Sequence, residues 1–165
     1  NGHTEPFSKD EGIRANASYE ATAALQPAFN PEHSITAGNS SQISDGAAAV
    51  LLMSLERARE LGLKPRARIR AQAVVGTDPV LMLEGPIPGT AAVLKKAGLD
   101  IKSIDLFEVN EAFASVVLAW EKETGADMKT TNVNSGASEV GPPLWAARTS
   151  LITSRLHTIA TRTLS

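Results

Sequence analysis

Cysteine is absent from this chain. That absence excludes a disulfide framework, a thiolate metal site and a thiol nucleophile. An excess of one charge is also lacking: 16 Lys and Arg against 18 Asp and Glu leave a net charge of −2, so no field argues for nucleic acid or an anionic membrane as partner. Histidine occurs only as His3, His33 and His157. No two of them stand at metal-ligand spacing, so they read as solvent-exposed residues and no metal is expected. No apolar run approaches the roughly 20 residues of a membrane span, and the polar start Asn1 to Pro6 is unlike a signal peptide. A cytoplasmic location follows as the expectation. An initiator Met is missing as well, which suggests a piece of something longer. Nucleotide loops fail too: no GxGxxG follows a strand, and although Gly136 and Gly141 have the outer spacing of a phosphate loop, Pro142 and Pro143 stand where Lys and Ser or Thr are needed.

What is present is ordinary for a globular domain: 165 residues, 42% hydrophobic and 21% charged, enough to bury a core. Residues 1–40 are rich in turn formers, including Pro6, Pro27, Pro31 and Gly38, and read as a connecting segment with one short helix over about 17–25. Residues 41–165 then form the domain proper. An apolar run over 47–53 has the length of a buried strand. Ser54 caps a helix over 55–61, which Gly62 ends. Residues 67–75 alternate, with Arg68 and Arg70 on the more polar face, and predict a second strand. Pro88 opens a helix over 89–97 that Gly98 closes. A third strand over 104–109 runs into a helix over 112–124, where Phe113, Val116, Val117 and Trp120 recur at helical spacing. Strands alternating with helices predict an α/β fold of helices layered on a mixed sheet, with sites at the strand ends.

Two segments could carry chemistry. In DLFEVNEAFA, residues 105–114, an apolar strand ends in polar residues at the turn into a helix. Read from the residues alone, Asn110 either orients a water or polarises a carbonyl, or simply caps the next helix. The second segment, TAGNSSQISDG at 36–46, is a small-residue loop that could let a ligand approach the backbone closely.

Together these segments make the chain resemble the C-terminal half of a thiolase, the family of 3-ketoacyl-CoA thiolases and acetyl-CoA acetyltransferases. The resemblance runs in family order through DEGIR at 10–14, TAGNSSQISDGAAAVLLM at 36–53, VGTDP at 75–79, GPIP at 85–88 and DLFEVNEAFA at 105–114. It implies a Claisen-type acyl exchange on a coenzyme A thioester in fatty acid metabolism, with CoA as substrate and no bound cofactor. In the family a Cys of the N-terminal half takes the acyl group, a His of a GHP motif activates it, and a second Cys in a CxGGG motif serves as acid and base. The family's NEAF Asn holds a water in an oxyanion hole, which places that role on Asn110. Ser41 falls where the family's small-residue loop runs beside the pantetheine of CoA.

The departures matter as much. NVNSGASEVGPPLWA, residues 132–146, resembles the family's NVNGGAIALGHPLGA, but Pro142 occupies the catalytic His position and Trp145 a Gly position. Pro142 offers no ring nitrogen and no N–H. The chain continues with a helix-like segment over 151–156 and reaches Ser165 before any CxGGG motif, so the family's final strand pair is expected to be missing, leaving an apolar sheet edge that favours association. Loss of nucleophile and base together leaves little beyond binding. The expectation is a thiolase-family acyltransferase fragment, inactive alone, taking acyl-CoA and forming a homo-oligomer or pairing with a thiolase N-terminal half. The alternative is a non-catalytic CoA- or acyl-binding or assembly module.

Overall fold

A computed structural model of the chain describes Ser8, Arg14 and residues 16–43 and 47–133. Four helices organise them. The first, α1, spans Tyr19–Ala23, with the Ser18 hydroxyl accepting from the Ala21 N–H at 3.1 Å. The second, α2, spans Leu55–Glu60. Ser54 caps it as its sequence position predicts, accepting from the Arg57 N–H at 3.2 Å, and Gly62 follows in the left-handed region at φ +66°.

The third helix, α3, spans Pro86–Ala97, three residues earlier than expected. Pro86, rather than Pro88, takes the first helical position. Both prolines still fall in the first turn, where a missing N–H removes no intrahelical bond. Gly98 ends the helix at φ +65°. The fourth, α4, spans Ala114–Thr124 and starts two residues later than expected, because Ala112 and Phe113 are drawn into pairing with the loop at 39–41. Short 3₁₀ turns at Ile101–Ser103 and Met128–Thr130 complete the set.

The core lies where α4 meets α3 and the strand end at 107–109. Trp120, 1% exposed, is its centre, packed with Val109, Val117 and Ala126 and flanked by Ile87, Ile101 and Phe107. Its ring meets Phe107 edge to face at 5.2 Å, and its Nε1–H donates to Thr90 Oγ1 at 2.8 Å, so the one polar atom of the buried indole is satisfied.

The expected sheet is far less developed than its sequence pattern. Among the described residues pairing is confined to three isolated bridges: Pro27 with Thr36 and Ser40 with Phe113, both antiparallel, and Phe107 with Thr131, parallel. Residues 47–53 and 67–75 are in neither helix nor ladder. The second of these lies along α3, where Arg70 donates to the Ala97 carbonyl at 3.3 Å and Lys96 to the Gln72 carbonyl at 3.1 Å. A strand pattern encodes readiness to pair, and pairing requires a partner that the pattern itself does not supply. The helix-like segment over 151–156 lies outside the described residues.

Candidate functional site

The site is built around the end of the third apolar segment. The Phe107 N–H donates to the Thr130 carbonyl at 2.9 Å, and the Phe107 carbonyl accepts from the Asn132 N–H at 3.0 Å. Beyond this bridge no strand among the described residues pairs with the main chain of 108–111. The Asn132 side chain substitutes for one. Its Oδ1 accepts from the Val109 N–H at 2.8 Å, while Nδ2 donates to the Val109 carbonyl at 3.0 Å and to Glu111 Oε1 at 2.5 Å. Asn132 sits at φ +47°, a left-handed conformation that Asn enters more readily than most residues.

The small-residue loop holds the other side. The Ser41 N–H donates to the Ala112 carbonyl at 3.0 Å and the Ala114 N–H to the Asn39 carbonyl at 2.9 Å, flanking the Ser40–Phe113 bridge. Side chains stiffen the loop itself: Asn39 Oδ1 accepts from the Thr36 N–H at 2.9 Å, Asn39 Nδ2 donates to the Ser34 carbonyl at 2.8 Å, and Ser40 Oγ donates to the Thr36 carbonyl at 2.6 Å. Gly38 lets it lie against α1, since a Cβ there would stand 2.5 Å from Thr22 Cγ2 and 2.9 Å from Leu25 Cδ1. Two segments some 70 residues apart in sequence, each singled out by its composition, are thus neighbours.

Between these two clamps lies Asn110. It is exposed, and its side chain makes no hydrogen bond to a described residue. It does not cap α4, whose N-cap is Phe113 with no side-chain cap bond, so the bland reading of Asn110 does not hold. A neutral carboxamide presented to solvent from a braced turn can donate to a carbonyl or enolate oxygen or hold a water. Ser41 is half-buried, its amide committed to Ala112. His33 is exposed. Among the described residues no three His, Cys, Asp or Glu side chains are grouped to hold a metal ion, and no helix is long and apolar enough to cross a membrane. Pro142 and Trp145, with 134–165 as a whole, lie outside the described residues, as do residues 44–46.

Asn132 is the site residue that the sequence reading passes over. It stands first in the NVN stretch, but nothing in its type or spacing relates it to a turn more than 20 residues upstream.

Comparison with known proteins gives a consistent result. The family described as "Thiolase, C-terminal domain" matches residues 63–164, and "Thiolase, N-terminal domain" matches residues 1–56. A 3-ketoacyl-CoA thiolase of Citrobacter koseri is 50% identical over 161 residues, covering 94% of this chain and 41% of that protein. The 3-ketoacyl-CoA thiolase of Salmonella typhimurium is 53% identical over 148 residues, covering 87% and 38%. The chain therefore spans about two-fifths of the length of these curated relatives. Among solved structures, the acetyl-CoA acetyltransferase of Bacillus anthracis superimposes with a TM-score of 0.91 at 42% identity, over 95% of this chain and 40% of that one. Human mitochondrial 3-ketoacyl-CoA thiolase in complex with CoA gives 0.85 at 37% identity, over 93% and 39%. The fold is accordingly the α/β fold of these neighbours.

Proposed function

This chain belongs to the thiolase family, and on that premise we propose that it forms the CoA-side portion of a thiolase-type acyltransferase acting on acyl-CoA thioesters in fatty acid metabolism. The observation that carries the reading is Asn110, an exposed hydrogen-bond donor with no side-chain bond to a described residue, between two braces, one of them the Ser41 loop. In this reading the Asn110 carboxamide, directly or through a water, stabilises the negative charge that develops on the acyl oxygen. Residues 39–41 flank the CoA arm, and residues 41–165 contribute the C-terminal-domain part of the site.

The chain holds no cysteine, so it cannot form an acyl-thioester with itself. Pro142 cannot act as a base. Neither part of the nucleophile system lies in these residues: the family's nucleophilic Cys belongs to its N-terminal half and its His position is Pro142 here, so the chain is expected to be inactive alone. The pure protein is expected to show no thiolysis of acetoacetyl-CoA, and turnover by it would refute this reading. The lack of cysteine equally favours a second reading, a non-catalytic CoA- or acyl-binding module. Calorimetric titration with CoA separates them: micromolar affinity in the isolated chain supports the module, and binding only after a thiolase N-terminal half is added supports the acyltransferase portion.

A further inference from the structure

We infer that Asn132 is a positioning residue for acyl recognition: it sets the turn that presents Asn110, and so determines whether the chain distinguishes an acyl-CoA from free CoA. The inference rests on the reading of Asn110 given above. Its own basis is geometric. Asn132 uses its main-chain N–H on Phe107, both atoms of its carboxamide on Val109, and a further carboxamide hydrogen on Glu111. The residues it holds lie immediately before and after Asn110. Val109 is buried in the core that contains Trp120, so the turn is tied through Asn132 and Val109 to the hydrophobic core of the described residues. The left-handed backbone of Asn132 is what allows one residue to bond with main chain and side chain to the same segment. On the far side the main chain of the loop at 39–41 pairs with Ala112 and Ala114. Loosening Asn132 therefore frees Asn110 while leaving the Ser41 loop in place.

The test uses the full chain, with acetoacetyl-CoA and free CoA as separate probes. Asn132→Gly keeps the left-handed backbone accessible and removes only the carboxamide. It is expected to weaken acetoacetyl-CoA binding about tenfold, the scale of losing two or three hydrogen bonds of modest net value, and to change CoA binding less than about twofold. Asn132→Asp removes the donor and sets a carboxylate against Glu111, so it should be worse for the acyl probe. Adding Glu111→Gln reverses the donor and acceptor across that pair and should recover most of the difference. Equal weakening of both probes would show general loosening and overturn the inference, as would no change in either or no rescue by the double variant. If the unaltered chain alone binds neither probe, the titrations are run with a thiolase N-terminal half added, and no binding then overturns the functional reading by itself. The positioning claim is then decided by the Asn110 side-chain amide resonances: one sharp pair in the unaltered chain that broadens in Asn132→Gly supports it, and identical spectra overturn it.

Discussion

The residues at 85–133 are less rich in apolar side chains than those at 47–75, yet it is the first region that buries them. In the first region Trp120, Val117 and Val109 are buried. In the second, Leu51 is 78% exposed, Ile69 63% and Val74 99%. The difference is one of period. An apolar stripe repeating every three or four residues buries itself as soon as one neighbouring helix is present, and α3 supplies that neighbour for α4. An alternating or continuous strand pattern buries only when strands lie beside it and a layer covers its face.

The largest effect separating the regions is expected from Trp120→Ala. It removes the fully buried ring, its edge contact with Phe107 and its bond to Thr90, and should cost about 3–5 kcal/mol in urea unfolding followed by circular dichroism. A loss near zero would mean that the first region has no core. Gly38→Ala should cost about 1–2 kcal/mol: Leu25 Cδ1 can swing aside, but Thr22 Cγ2 is β-branched and stiff. Because the clash pushes the loop from α1, amide exchange at Ser41 should quicken with it. Ser54→Ala removes the cap of α2 and should cost about 1 kcal/mol, read as reduced helical circular dichroism with the Trp120 environment unchanged.

Val74→Lys, in the second region, should change unfolding free energy by less than about 0.5 kcal/mol. It should nonetheless reduce concentration-dependent association in sedimentation, and a substantial destabilisation would contradict the exposed placement of that segment. The smallest effect is one of pH. The Glu56 carboxylate is held below its ordinary value of 4.5, first by its own backbone N–H and then by the Ser54 hydroxyl. A depressed acid contributes stability above its unfolded value and loses it as pH falls through the lower folded value. Helicity of α2 should therefore decline only below pH 4.5, and Glu56→Gln should flatten that decline.

The helices were legible because their signals are local. Ser54, Gly62 and Gly98 act within a turn of their own positions, and the stripe Val116, Val117 and Trp120 needs only one neighbour. The shifted starts of α3 and α4 show where local signals run out. Two prolines can serve the same first turn, and the onset of α4 is set by a loop more than 70 residues upstream.

For the site, sequence alone determined the chemistry available: no thiol anywhere, a carboxamide at a strand end in the family's NEAF motif, a small-residue loop, and a proline where the family has its histidine. These are properties of residue types and their order, and no folding can alter them. Tertiary structure decided which groups meet and which remain free. It paired the loop at 39–41 with Ala112 and Ala114, released Asn110 from the capping role its type allows, and put Asn132 under the turn, bonded to Val109 and Glu111. The physical reason is that a side chain's partners across 20 or 70 residues depend on where the main chain brings them. That in turn depends on the burial of Trp120 and its neighbours, which no single motif contains.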